Sequence, residues 1–391
     1  MRVKRILLSL AFFCLFSLYS FPAHAQADTP PPTMESQDYY QEQMEISGAD
    51  ELSDELPNET RVMMENMGVA GADWESLKNL TPSAVFQQVV STAQSQSAGP
   101  LKAAVGVLAV MLLCALMEGM KLSLGDRPLS GVVGVVSTLC ICTIIVIPIV
   151  SCVQSASQVI QGAAGFMLCY VPVIAGIMIA GGQTVSAASY HLMMVGAGEV
   201  ISQIATGFLV PMLNVFLALS ITASVSPRLN LNSICDGFHK VVKWVLGIVM
   251  TIFVSLLTLQ TIVGTAADTT GTKVAKFAIG NFIPVVGGAL SDAFTTVQGY
   301  VKLLKSGVGA FGILAAGCIF LPILLQCLLW MATVHICACV GDIFDLKQIS
   351  SLLRAGGKVI GILLSIILCC MMILTVSTVL VLVIGGGGSG G

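Results

Sequence analysis

Long apolar stretches alternate with short polar linkers from residue 99 to residue 384. The first two, residues 101–120 and 129–150, each supply the run of about twenty apolar residues that a helix needs to cross a bilayer. Further apolar stretches follow at residues 165–182, 190–225, 241–267, 277–299, 307–340 and 359–384, and several of them contain a proline. This pattern predicts an all-α fold, a polytopic membrane helix bundle.

Composition agrees with a membrane-embedded chain. Hydrophobic residues make up 55 % of the 391 positions and charged residues 10 %, and the mean hydropathy is +0.91. Soluble domains carry about 25 % charged residues. The net charge is −3, and the negative charge is concentrated in residues 26–98, which hold thirteen Asp and Glu but only two basic residues, Arg61 and Lys78. We expect that region to lie in water, and no basic face for nucleic acid is visible.

The first 25 residues have the pattern of a secretory signal peptide. Basic residues at positions 2, 4 and 5 precede an apolar stretch, and Ala23-His24-Ala25 has the small residues of a cleavage site. The acidic region that follows is therefore predicted to be extracytoplasmic. Its beginning, residues 27–56, has few large apolar side chains, so we expect disorder there. An amphipathic helix is predicted from Pro82, with Val85, Phe86, Val89 and Val90 on one face.

Prolines and glycine pairs recur at an offset of about 112 residues. Pro172 matches Pro284, Gly196 and Gly198 match Gly307 and Gly309, and Pro211 matches Pro322. We therefore predict an internal duplication. The resulting organisation is a signal peptide (1–25), an extracytoplasmic acidic region with one amphipathic helix (26–98), two transmembrane helices (99–150), membrane repeat 1 (151–267), membrane repeat 2 (268–384) and a flexible Gly-rich tail (385–391).

The stretch GNFIPVVGGALSDAF, residues 280–294, raises a question about the bundle. Its glycines do not stand between a strand and a helix, which argues against a phosphate-binding loop. It either spans the membrane as a helix or enters and turns back, and both alternatives require neighbours that satisfy the freed backbone groups. The distribution of Lys and Arg slightly favours proline-broken, re-entrant segments and parallel copies.

Few residues suggest chemistry. Glu199 lies in an apolar run with His191 two turns earlier, which fits either a proton relay or a hydrogen-bonded carboxyl near the membrane edge. The second interpretation is favoured, because Ala310 occupies the matching position of the second copy. We predict no catalytic, cofactor-binding or metal-binding residues and no enzyme activity. The positions expected to shape the bundle or line a passage are Pro172, His191, Glu199, Pro211, Pro284, Gly287, Gly288, Asp292 and Pro322.

Several stretches resemble the stage III sporulation protein AE family. They are FIPVVGGALSDAF (residues 282–294), GAGEVIS (196–202), SPRLNLNSI (226–234) and VGDIFDLKQISSLLR (340–354). The resemblance implies an integral membrane subunit of the transenvelope, secretion-like assembly between mother cell and forespore that endospore development requires. It implies the mother-cell membrane around the forespore as location, and other membrane proteins of the stage III complex as partners.

A second hypothesis is a secondary transporter of a small solute or ion, because such proteins bind substrate near duplicated, interrupted segments. Both hypotheses place the chain in the lipid bilayer and neither involves nucleic acid. The many glycines favour close helix packing, including packing with partners or with further copies of the chain, and leave a homo-oligomer open.

Overall fold

A computed structural model describes residues 34–78, 80–124, 129–203, 211–216, 232–282 and 287–386, together with residues 207 and 218. The predicted signal peptide, Pro284 and residues 387–391 of the predicted tail lie outside the described residues. In the described part every regular element is helical, which confirms the all-α prediction.

The helices follow one another along the chain. They are α1 (Met34–Ser47), α2 (Asn58–Asn66), α3 (Trp74–Lys78), α4 (Pro82–Leu124), α5 (Leu129–Ala180), α6 (Thr184–Gln203), α7 (Asn232–Phe282), α8 (Gly287–Ile343) and α9 (Lys347–Gly386), with a 3₁₀ turn at Glu51–Ser53. The chain divides into two compact units, residues 1–42 and residues 43–391. The larger unit contains helices α2 to α9.

Five of the described helices are long and apolar enough to cross a membrane, as judged by length and composition. The segments are Pro82–Met117 in α4, Val136–Ala180 in α5, Lys240–Gly271 in α7, Gly299–Ile343 in α8 and Lys347–Val379 in α9. The prediction of a multi-pass membrane protein is therefore confirmed.

Prolines inside the helices do not break them. Pro172 lies within α5, a continuous helix of 52 residues, and Pro322 lies within α8, a continuous helix of 57 residues. The helix break expected at Pro172 is therefore not found, and its counterpart at Pro284 lies outside the described residues. A proline removes one backbone hydrogen bond, but side chains and carbonyls of packed neighbours and small local adjustments let a membrane helix continue through it. At 1.5 Å per residue α8 is about 86 Å long, far more than the hydrocarbon core of about 30 Å.

Helix boundaries do not follow the offset of 112 residues. Helix α5 ends at Ala180 and α6 begins at Thr184, whereas the matching residues 292–296 lie inside α8. Conversely, α7 ends at Phe282 and α8 begins at Gly287, whereas the matching residues 170–175 lie inside α5. The turn after α5 is set by Gly182, whose φ of +80° is a left-handed conformation that glycine adopts readily.

The centre of the bundle is the antiparallel pair of α8 and α9. A Cβ atom on Gly309 would lie 2.7 Å from Cδ2 of Leu382, and one on Gly357 would lie 3.5 Å from Cε1 of His335. The backbones therefore approach closely at both ends of the pair. Within an apolar stretch of 18 residues in each helix, 61 % is buried in α8 and in α9 but only 11 % in α7, so α7 lies at the periphery.

The acidic region beyond α1 forms a small packed lobe. Leu52 and Met64 are buried, and Pro57 packs against Gly162 of α5. The expectation of disorder was wrong for residues 34–56, where α1 and the 3₁₀ turn form, and the region has more helices than the one predicted. The apolar residues of this region are too few to form a core of their own. They stabilise helices here because they pack against the long helices of the bundle.

Candidate functional site: a polar clamp at the turn between α5 and α6

The turn between α5 and α6 packs directly against α8. The N–H of Gln183 donates to the carbonyl of Met178 at 2.9 Å, and that of Gly182 donates to Ile179 at 2.9 Å, so the last carbonyls of α5 are satisfied. A Cβ on Gly181 would lie 3.1 Å from Cγ1 of Val301. The absence of a side chain at position 181 lets the turn contact α8 closely.

Asp268 of α7 caps the first turn of α6. Its Oδ1 accepts a hydrogen bond from the N–H of Val185 and its Oδ2 one from the N–H of Ser186, both at 2.9 Å. The first N–H groups of a helix have no partner within the helix and carry partial positive charge, so a carboxylate is well suited to this position. Asp268 is 7 % exposed. The cap therefore joins two helices inside the protein.

Gly264 makes this approach possible one turn earlier on α7. A Cβ at this position would lie 2.7 Å from Oγ of Ser186 and 3.2 Å from its Cα. Any other side chain would push the beginning of α6 away from α7 and lengthen the hydrogen bonds to Asp268.

Lys305 of α8 contacts the same turn from another side. Its Nζ donates to Oε1 of Gln183 at 2.8 Å, and the side chain is 4 % exposed. Lys305 and Asp268 thus hold the turn and the start of α6 from two sides, through Gln183 and through the N–H groups of Val185 and Ser186. A buried charge is tolerated only with hydrogen-bonding and opposite-charge partners. Gln183, Ser186, Asp268 and Lys305 form what we call the polar clamp, which connects the turn to α7 and α8.

Three buried hydroxyl groups lie on the helices that the clamp joins. Oγ of Ser186 and the hydroxyl of Tyr190, both on α6, and Oγ1 of Thr265 on α7 have no hydrogen-bond partner among the described residues. Ser186 and Tyr190 are 4 % and 3 % exposed. A buried hydroxyl without a partner costs about 1–3 kcal/mol. This interface is therefore polar on both helices.

Tyr170 provides a second connection between α5 and α8. Its hydroxyl donates to the carbonyl of Val308 at 3.3 Å, and its ring stacks on Phe166 with centroids 5.4 Å apart. A Cβ on Gly312 would lie 2.5 Å from the ring. The tyrosine therefore occupies the space that glycine leaves on α8.

The residues singled out from the sequence do not meet in one place. Pro172 is exposed on α5, His191 and Glu199 are exposed on α6, and Oε1 of Glu199 accepts a hydrogen bond from Nε2 of Gln203. Pro211 is exposed in the helical residues 211–216, and Pro322 is half-buried in α8. Pro284 lies outside the described residues; Gly287, Gly288 and Asp292 belong to the first two turns of α8.

Sequence reasoning missed the polar clamp. Asp268 ends a run of 24 residues without a charged side chain that begins after Lys243. Lys305 begins a second uncharged run, which extends to Asp342. Charged residues at the ends of apolar runs are read as linkers, so neither attracted attention. Their burial and proximity follow from the packing of α6, α7 and α8.

Comparison with known proteins decides the family. The model of the family described as stage III sporulation protein AE matches residues 74–386, which include helices α4 to α9. The chain belongs to the stage III sporulation protein AE family. The resemblance inferred from the sequence is thereby confirmed.

A curated relative agrees with this family. The stage III sporulation protein AE of Bacillus subtilis (strain 168) is 26 % identical over 167 residues, which cover 43 % of this chain and 42 % of the relative. The match thus spans less than half of either protein. No solved structure matches the chain.

Proposed function

We propose that the chain is an integral membrane subunit of the transenvelope assembly between mother cell and forespore. The observation that carries the proposal is the family match, because it covers the whole membrane bundle from α4 to α9. The chain acts as a non-enzymatic component: its apolar helices anchor it, and the acidic lobe stands on the extracytoplasmic side. Other membrane proteins of the stage III complex are the proposed partners.

The proposed location is the mother-cell membrane around the forespore, with the signal peptide removed near Gln26. The acidic composition of residues 26–98 supports an extracytoplasmic position for that region. Sequencing the amino terminus of the purified protein tests the cleavage. An uncleaved Met1 in the purified chain would contradict it.

Gene deletion tests the biological role. In the bacterium that encodes this chain, deletion should abolish heat-resistant spores, and expression of the intact chain from another locus should restore them. Affinity purification of the full chain from sporulating cells should recover other membrane proteins in fixed proportion. Normal spore counts after deletion would overturn the proposal.

The transporter alternative receives no support. It depended on matching interrupted segments at Pro172 and Pro284, and Pro172 lies in an unbroken helix. The internal duplication stays a prediction, based on the recurrence of Pro172 with Pro284 and of Pro211 with Pro322.

A further inference from the structure

Polar side chains form a strip along one side of α6. Gln183, which immediately precedes the helix, is followed by Ser186 and Tyr190 at spacings of three and four residues, so the three side chains share one side. The carbonyl of Gln183 accepts a hydrogen bond from the N–H of Ala187 at 2.9 Å, so Gln183 belongs to the first turn. Ser186 and Tyr190 are 4 % and 3 % exposed. The strip therefore points into the protein.

Two neighbouring helices contact this strip. Oε1 of Gln183 accepts a hydrogen bond from Nζ of Lys305 on α8. Oγ of Ser186 lies 2.7 Å from the position of a Cβ on Gly264 of α7. Thr265, the next residue of α7, has a buried hydroxyl oxygen. The strip therefore lies where α6, α7 and α8 meet, at the same junction as the polar clamp.

The buried groups at this junction can make more hydrogen bonds than the described residues offer. Lys305 is 4 % exposed, and its ammonium group has three N–H donors, of which one binds Gln183. The hydroxyls of Ser186, Tyr190 and Thr265 have no partner among the described residues. Each hydroxyl can donate one hydrogen bond and accept two. Buried polar groups in proteins are nearly always satisfied, so these groups point to a small bound molecule that both accepts and donates.

The charges at the junction select a neutral molecule. Lys305 contributes one positive charge, and Asp268, which is 7 % exposed, contributes one negative charge. The carboxylate is held by the N–H groups of Val185 and Ser186. A bound ion would add a buried charge in excess of this balanced pair, which is costly. Water is neutral, and a buried water typically makes about three hydrogen bonds to groups that otherwise have no partner.

We propose that ordered water binds at the junction of α6, α7 and α8. The ammonium group of Lys305 is one partner of the water, and the three hydroxyls of α6 and α7 are the others. The water extends the polar clamp, because it connects α8 to the second turn of α6, where Tyr190 lies. The inference goes beyond the proposed function: it assigns a bound molecule to the interior of the subunit and makes each of these hydroxyls a stabilising group.

Removing one hydroxyl tests the proposal, because bound water and an empty junction predict changes of opposite sign. Thr265→Val keeps the volume and the branching of the side chain. If water binds the hydroxyl, its loss leaves buried partners unsatisfied and should lower the melting temperature of the full chain in detergent by about 2 °C or more. If nothing binds it, its removal should raise the melting temperature. The matched control is Thr258→Val on the same helix, which should change the melting temperature little, since Thr258 is exposed and donates to the carbonyl of Val254 at 2.8 Å.

Radiolytic footprinting with mass spectrometry detects the water directly in the unchanged protein. Brief X-ray irradiation generates hydroxyl radicals from bound as well as bulk water, and these radicals oxidise the side chains beside them. Tyr190 should be oxidised several-fold faster than Trp330, which is similarly buried at 5 % exposure, although the indole ring is the more reactive of the two. Oxidation of Tyr190 no faster than that of Trp330 would show that no water lies beside its hydroxyl.

Two further outcomes overturn the proposal. A higher melting temperature of Thr265→Val would show that its hydroxyl is simply unpaired. A higher melting temperature of the unchanged protein in chloride than in gluconate at equal ionic strength, absent from Tyr190→Phe, would identify a halide instead of water. If Thr265→Val fails to fold, Tyr190→Phe gives the same test, since it removes a hydroxyl and keeps the ring. None of these measurements depends on spore formation, so the bound water and the proposed function can fail separately.

Discussion

Asp268 caps a helix to which it does not belong: its Oδ2 accepts a hydrogen bond from the backbone N–H of Ser186 at 2.9 Å, although 82 residues separate the two. The neighbouring N–H of Val185 binds the other carboxylate oxygen. The start of α6 is therefore fixed by α7. The polar clamp makes the turn between α5 and α6 a defined junction of four helices.

Removing the cap should destabilise the protein. We expect Asp268→Ala to lower the free energy of unfolding by about 1–2 kcal/mol, the usual effect of losing a helix cap with its favourable charge. Thermal unfolding in detergent, followed by circular dichroism, measures the change. Asp50→Ala is the control, since Asp50 is exposed and makes no side-chain capping bond. Equal melting temperatures for the two variants would contradict the capping role.

A side chain at position 264 should separate α6 from α7. We expect Gly264→Ala to cost about 1–3 kcal/mol because its Cβ would overlap Ser186. Gly247 lies on the same helix with nothing within 4 Å of its Cβ position. Gly247→Ala should therefore be neutral or stabilise by up to about 1 kcal/mol, since alanine favours helix. Thermal unfolding of both variants in the same detergent measures the difference. If Gly247→Ala were less stable than Gly264→Ala, α6 and α7 would not be in close contact at Gly264.

The charges of the polar clamp should be energetically coupled. Lys305→Met removes the buried ammonium group that donates to Gln183, and Asp268→Asn removes the carboxylate charge at the start of α6, so each single change should destabilise. The double variant should be less damaging than the sum of the two, with a coupling of about 0.5–3 kcal/mol. Lys302→Met, at an exposed position of α8, serves as the control. Strict additivity in the double-mutant cycle would show that the two charges do not interact.

The contact of Tyr170 with Gly312 should be equally sensitive to volume. Gly312→Ala should destabilise by about 1–3 kcal/mol, because the added methyl group would overlap the buried ring. Gly317, on the same helix, has open space at its Cβ position, so Gly317→Ala should have little effect. The melting temperatures of the two variants, measured in the same detergent, test this difference. If Gly312→Ala melts at the same temperature as the unchanged protein, the ring of Tyr170 does not occupy that space.

Sequence patterns were sufficient to predict a membrane environment, an all-helical fold and the family. Charge-free runs such as the one after Lys358 can satisfy their backbone only as helices in a bilayer, so their length alone predicted the spans. Proline was a poor guide to helix ends, since α5 continues through Pro172 and turns at Gly182. A proline costs one hydrogen bond that neighbours can offset, whereas a left-handed glycine redirects the chain.

By itself, the sequence determined that the chain leaves water: about twenty consecutive apolar residues, repeated several times, have no other stable environment than a membrane. It also determined the family, through stretches such as residues 282–294 that the family model covers. Only the tertiary structure decided which polar residues act together. Asp268, Lys305 and Ser186 are scattered over 120 positions, and they meet because helix packing, and no local pattern, sets contacts between distant segments.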